Sequence, residues 1–350
     1  MTANSETPCE TQAGEDTGKP ARTLTELARL AGVSAGTVSR ALAGKSNVNP
    51  ATRDRIAALA REHGFRPNQV ASNLRRQRTG TIGIAIPLGH DRRQQISDAF
   101  FMTLLGHLAD ALTEKGYDLM LRRVIPDRDE DWLDRFIGSG MIDGVVVIGQ
   151  SDQFDRIEEV AGRYRPMVVW GHHREGQRHC VIGSDNLLGG KLAAERLLAR
   201  GARTLAFLGD RSAIEFAARF AGAQQVADAA GATIEPFPTH LAPDRMAHEV
   251  RAHLDAFKGR FDGIFAATDM LAVACLDALR ARGIDVPGQI AVVGFDDLPV
   301  ARHTAPPLTT VRQDIKAGAW AMVDLLLRRL AGTDTESLVM PPSLTVRDTA

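Results

Sequence analysis

The chain has 350 residues, with 42 Lys and Arg against 43 Asp and Glu, for a formal net charge of -1. Hydrophobic residues make up 44% and charged residues 24%, a globular balance that excludes a mainly disordered or collagen-like chain. No apolar run approaches the roughly 20 residues needed to span a bilayer, and residues 1–20 lack the apolar segment of a signal peptide. Three scattered cysteines (Cys9, Cys180, Cys275) suit neither a disulfide framework nor a paired metal site, so a cytoplasmic protein is expected.

The near-neutral total hides a segregation. Residues 1–20 carry -3 and read as a disordered acidic tail. Residues 21–78 hold 11 basic residues against 3 acidic ones, for +8, and residues 79–350 carry -6. A compact basic module on a mildly acidic body points to nucleic acid as a partner.

Residues 21–66 divide into short helices. Thr23-Leu-Thr-Glu26 is a capping box, in which the Thr hydroxyl takes an orphan backbone N–H and Glu26 reaches back. That helix stops at Gly32. Ser34 is the N-cap of a second helix running to Leu42, and Asn49-Pro50 opens a third that ends at Gly64. Val33, Val38 and Leu42 are expected in a mini-core, with Arg55 and Arg61 on a solvated face. Two short helices joined by the Gly-containing turn Ala31-Gly-Val-Ser34 form a helix-turn-helix.

The run from Thr25 to Leu42, continued by Asn49-Pro-Ala-Thr-Arg53, Gly64-Phe-Arg-Pro-Asn68 and Ala71-Ser-Asn-Leu74, resembles the DNA-binding headpiece of the lactose-repressor (LacI/GalR) family. The resemblance implies that the second helix enters the major groove of double-stranded DNA, at a pseudo-palindromic operator. Ser34, Ala35, Gly36, Thr37, Ser39, Arg40, Asn47 and Thr52 are then the expected contacts. Arg40 has the fork geometry for guanine. Ala35 and Gly36 have minimal side chains, suited to a thymine methyl or to close approach. Residues 67–78 resemble the family's hinge helix and linker, with Asn68 as N-cap and Ala71 beside Leu74, an apolar wedge for the minor groove.

From Thr79 apolar runs alternate with amphipathic stretches. Residues 81–86, 117–121, 144–148, 167–170, 204–208, 263–266 and 290–294 read as buried strands. Residues 104–115, 187–200, 213–230 and 270–282 read as helices. This alternation predicts an α/β body with parallel sheets, too many units for one small sheet. Landmarks matching the same family run to Gln313-Asp314, and they imply a periplasmic-binding-protein-like body of two Rossmann-like lobes (79–183 with 315–337, and 184–314 with 338–350). Three crossovers are expected near Gly183, Asp314 and Leu338, with a small-molecule effector in the cleft.

By the same resemblance Arg219 and Asp296 are expected to contact effector, Phe101 to stack on it, and Asp185 and Asp269 to complete the site; Trp170, which ends a strand at the cleft, is a second expected aromatic contact. A flat aromatic face beside Arg and Asp suits a polyhydroxylated ligand better than a nucleobase. Two positions depart from the family: Thr268 where Asn is frequent, and Gly171 where Asp is frequent. His172, His173, His179 and Cys180 match no metal-ligand spacing and read as a solvated loop at the cleft mouth. Residues 183–191 fail the phosphate-loop pattern, and neither a nucleophile elbow nor a dinucleotide fingerprint follows a strand, so no cofactor, metal or enzyme activity is expected. The expected protein is a homodimeric, sugar-relieved repressor. A repressor needing a purine-like corepressor, or a sugar-binding α/β protein without DNA function, are the alternatives. The absence of a leucine-heptad tail near Ala350 argues for a dimer over a tetramer.

Overall fold

The computed structural model describes residues 23–42, 44, 47–65, 78–88, 95–125, 130–150, 153–257 and 259–350. Asn68, Ala71 and Leu74, and with them the hinge helix, lie outside the described residues. The chain divides into two units, 1–78 and 79–350.

In the first unit three helices, α1 (Leu24–Ala31), α2 (Ala35–Leu42) and α3 (Pro50–Glu62), surround a core centred on Leu27, Val38 and Ile56. The capping box is formed on both sides, with the Glu26 N–H on Thr23 Oγ1 and the Thr23 N–H on Glu26 Oε2, each at 3.2 Å. Gly32 ends α1 at φ 59°, in the left-handed region that favours glycine. Val33 and Leu42 pack on this core as expected. Arg55 is not merely solvated: its Nη2 donates to the Ala31 carbonyl at 2.9 Å, tying α3 to the end of α1.

The second unit holds two six-stranded sheets. The first comprises β1 (Thr81–Pro87), β2 (Asp118–Val124), β3 (Gly144–Ile148), β4 (Met167–Trp170), β5 (Cys180–Ser184) and β11 (Leu338–Met340), in the order β11-β5-β4-β3-β1-β2. All its pairings are parallel. Helices α4 (Ala99–Glu114) and α11 (Ile315–Leu330) pack against one face of the sheet, and α5 (Trp132–Ile137) and α6 (Phe154–Ala161) against the other. Side chains alternate accordingly. Ile82, Ile84 and Ile86 join one core while Ala85, Val145 and Val147 join the other. Burial on both faces is why these strands read as continuous apolar runs.

The second sheet comprises β6 (Thr204–Leu208), β7 (Thr233–Phe237), β8 (Gly263–Ala266), β9 (Ala291–Asp296), β10 (Thr309–Arg312) and β12 (Ser343–Thr345), in the order β12-β10-β9-β8-β6-β7. It is parallel except for β12 against β10. Around it lie α7 (Asn186–Ala199), α8 (Ile214–Ala229), α9 (Pro243–Phe257) and α10 (Asp269–Arg280). The chain passes between lobes after Ser184 and again after Arg312. The third passage differs from expectation. Leu338 does not cross: residues 338–340 pair with β5 in the first sheet, and the crossing falls at Pro341-Pro342. Proline lacks an N–H for a ladder, so the strand ends there and resumes on the other sheet.

Candidate functional site

Two surfaces can carry function, one in each unit. In the first, Ser34 at the head of α2 and Ala35, Gly36 and Arg40 on it are exposed, with Thr37 and Ser39 half-buried. The Ser34 side chain accepts from the Thr37 N–H at 3.2 Å and meets its hydroxyl at 2.9 Å. Arg40 Nη2 donates to Thr37 Oγ1 at 3.3 Å, which holds the guanidinium along the start of the helix. Asn47 is exposed and Thr52 half-buried in the first turn of α3. The N-terminal half of α2 is thus a small-residue face flanked by a cation, with Val38 pinning its reverse side to the core.

In the second unit a cleft lies between the lobes at the carboxyl ends of the strands. Its first-lobe wall is aromatic: Phe100 and Phe101 at the start of α4, with Trp170 ending β4. Phe100 lies 5.9 Å from both the Phe101 and Trp170 rings. Asp98 caps α4, accepting from the Phe100 N–H at 2.9 Å, and its carboxyl also lines the cleft. Burial pushes its pKa above the usual carboxylate range.

The second-lobe wall is polar and centres on Arg219, which is 5% exposed. Its Nε donates to Asn186 Oδ1 at 2.9 Å and its Nη1 to the Ala267 carbonyl. The guanidinium carbon stands 3.6 Å from the centre of the Phe295 ring, a cation–π contact. Burial pulls its pKa down to about 10, against the opposing charges of Asp296, Glu215 and Asp269. Among the described residues Nη2 has no hydrogen-bond partner, so this donor is left for the cleft.

Arg219 owes its position to two glycines. A Cβ on Gly190 of α7 would lie 1.9 Å from the Arg219 carbonyl oxygen, and one on Gly222 of α8 would lie 2.0 Å from that of Leu187. The two helices therefore touch backbone to backbone, which brings Asn186 within reach of Arg219.

Asp296 ends β9 with φ 122°, followed by Asp297 at φ 56°, a strained turn for non-glycine residues. Arg347 pairs with Asp297 at 2.5 Å and secures the turn. The Asp296 carboxylate accepts from Gln313 Nε2 at 2.6 Å. Burial pushes its pKa up to about 7, in spite of Arg219 and Gln313, which favour the charge. A cation, two carboxyl groups of unequal character and an aromatic wall thus surround one space.

Phe101, Trp170, Arg219 and Asp296 line this cleft; Asp185 and Asp269 do not. Asp185 caps α7, accepting from the Leu188 N–H at 2.9 Å. Asp269 is fully buried, and its oxygens accept from the Leu298 N–H at 2.7 Å and the Thr310 hydroxyl at 2.5 Å. Both carboxylates are taken up by the protein itself. Thr268 caps α10 through the Leu271 N–H at 3.2 Å and also lines the cleft. Sequence reasoning missed Asp98, Glu215, His240 and Gln313 as lining groups. The available signals were the Gln313-Asp314 landmark and the place of Asp98 before Phe100-Phe101. Among the described residues no cluster of His, Cys, Asp or Glu is arranged to hold a metal, and no helix is long and apolar enough to cross a membrane.

Residues 23–68 match the family model of bacterial regulatory proteins, lacI family, and residues 194–350 match a periplasmic binding protein-like domain. The HTH-type transcriptional regulator CelR of Thermobifida fusca is 30% identical over 337 residues, covering 93% of this chain and 97% of the relative. A solved transcriptional regulator CelR–cellobiose complex superposes with a TM-score of 0.68 at 29% identity, covering 94% of this chain and all of the other. The fold is also that of a lac repressor dimer bound to operator and the anti-inducer ONPF (TM-score 0.82, 24% identity, 95% and 99% covered). With its helix-turn-helix and two-lobed body, the chain belongs to the lacI family of bacterial regulatory proteins and is an HTH-type transcriptional regulator.

Proposed function

We propose that this regulator is a repressor relieved by a small carbohydrate bound between the lobes. The observation that carries the reading is the opposition of Arg219 and Asp296 on one wall to Phe100, Phe101 and Trp170 on the other, with Asp98 beside the rings. Sugar hydroxyls take charge-assisted hydrogen bonds while the CH face of the ring packs on aromatic carbon. The cellobiose held by a 29%-identical regulator supports the same class. Asp185 and Asp269 act behind this site, as a helix cap and as a brace for the loop after β9.

The α2 face supports the following DNA-reading roles. Arg40 reads a guanine, Ala35 and Gly36 permit close approach, and Ser34, Thr37, Ser39, Asn47 and Thr52 meet phosphates or groove edges. Asn68, Ala71 and Leu74 form the hinge segment that wedges the minor groove, and two copies read a pseudo-palindromic operator. Effector shifts the lobe equilibrium only by its difference in affinity for the two arrangements.

The test is a thermal-shift screen of cellobiose, other disaccharides, monosaccharides and nucleobases, followed by gel-shift titration on DNA from the protein's own promoter region. A sugar should raise the unfolding temperature by mass action and release the DNA. Binding to DNA should fall steeply with salt. Stabilisation by a nucleobase alone, or tighter DNA binding with the ligand present, would refute the reading.

A further inference from the structure

The histidine-rich stretch after β4 is solvated only in part: His173 is exposed, His172 is half-buried, and His179 and Cys180 are buried. The His179 side chain is fully buried. Its Nδ1 meets Glu158 of α6, whose carboxylate also accepts from the backbone N–H groups of Arg178 and His179 at 2.9 and 3.0 Å. Its Nε2 faces Gln150 Oε1 at 3.0 Å, while Gln150 Nε2 donates to the His172 carbonyl at 2.5 Å. That amide cannot be turned over, because its oxygen would then face the carbonyl oxygen of His172. His179 Nε2 is therefore the donor.

On its other side the His172 backbone leads across the cleft. Its N–H donates to Glu215 Oε1 at 3.3 Å, and Glu215 stands in the first turn of α8, in the other lobe. Glu215 itself lines the cleft, and its charge acts on Arg219. Room for the relay comes from the departure at Gly171: a Cβ there would lie 2.7 Å from Gln150 Cδ. An aspartate at this position would occupy the path of the Gln150 side chain.

We propose that Gln150 and His179 are positioning residues of an interlobe latch, which holds the backbone of His172 against Glu215 and thereby fixes the arrangement of the lobes around the cleft. Glu158 anchors the latch in the first lobe. Gln150 links the fixed ring to the His172 carbonyl, and Glu215 receives the N–H of the same residue on the wall that carries Arg219. Any effector that changes the lobe spacing works with or against this contact.

Hydrogen–deuterium exchange of the full-length, effector-free chain tests the latch, read over residues 171–173 and 214–219. Gln150→Leu keeps the bulk and removes both hydrogen bonds, Gly171→Ala displaces the side chain, and Glu215→Ala removes the acceptor. Each should speed exchange at His172 about tenfold, with a rise of the same order across the cleft at residues 214–219. The Gln150→Leu, Glu215→Ala double variant should exchange no faster than Glu215→Ala, since both residues act through the backbone of one residue, His172. Faster exchange confined to residues 171–179, or effects that multiply in the double variant, would overturn the latch and leave Gln150 a packing role. If Gln150→Leu does not unfold cooperatively, Gly171→Ala takes its place in both comparisons. No effector is needed, so failure here is separate from failure of the carbohydrate reading.

Discussion

Asp296→Asn probes the most strained charge in the cleft. Folding raises the Asp296 pKa from 3.8 to about 7, mainly by burial. The folded state therefore binds more protons than the unfolded state between these values. Stability contributed by this group declines as pH rises through that window and levels off above about 7. At about 1.4 kcal/mol per pH unit, ionised Asp296 costs about 4 kcal/mol in full, and about 2 kcal/mol of this accrues between roughly pH 5.5 and 7. Asparagine cannot ionise, yet it keeps an oxygen for Gln313 Nε2, now at 2.6 Å. The stability gap between variant and parent should thus widen by about 2 kcal/mol across that interval and then stay constant. Urea titrations at a series of pH values, followed by tryptophan fluorescence, measure the gap, and any pH-independent offset cancels from its slope. A gap that stays flat from about pH 5.5 to 8 would show that Asp296 titrates as an ordinary carboxylate, and the burial argument would fall. The same variant should lose its response to effector, so that stability and function part company at this residue.

Other substitutions separate the parts of the machine. Arg219→Lys keeps a cation but loses the planar fork that serves Asn186, Ala267 and the cleft together; effector response should drop more than about tenfold while operator binding persists, as calorimetry and gel shift will show. Gly222→Ala forces a Cβ to 2.0 Å from the Leu187 carbonyl and should destabilise by about 3 kcal/mol or more, whereas Gly106→Ala in α4 meets nothing within 4 Å and should stabilise by about 0.5–1 kcal/mol. Thermal melts of the pair check both. Arg40→Ala should weaken operator binding by about 1–3 kcal/mol and relax preference at one base pair. Leu74→Ala should weaken specific binding much more than non-specific binding, and equal losses in a competition gel shift would remove the wedge role.

The alternation of β3, β4, β6 and β8 with helices was legible because each strand is buried on both faces and reads as an unbroken apolar run. Caps were legible too, since Thr23 and Asn49 act on their own next turn. The strands β10, β11 and β12 were not, being three or four residues long: β10 buries two threonines beside its valine, and β11 and β12 lie partly exposed at the sheet edges, so none reads as an apolar run. In the cleft, Arg219 and Asp296 were found by their place in a motif, but Asp269 shows the limit of that approach. An aspartate opening a helix looks the same in sequence whether it faces a ligand or turns under β9 and β10. The buried state of His179 was equally hidden, because its partners Glu158 and Gln150 come from separate elements some 21 and 29 residues away.

The backbone contact of α7 with α8 at Gly190 and Gly222 bears on how such a regulator can acquire new ligands. With no side chain between the two helices, Asn186 and Arg219 cannot drift apart without breaking the closest packing in the lobe. The polar wall is then a fixed template, and a change of ligand must be met chiefly by the opposite wall, where Phe100 and Phe101 project from the start of a single helix. Libraries randomised at those two aromatic positions should yield altered sugar preference with the fold intact, while libraries at Gly190 and Gly222 should return mostly unfolded protein. Selectivity and stability are thereby assigned to opposite sides of one cavity.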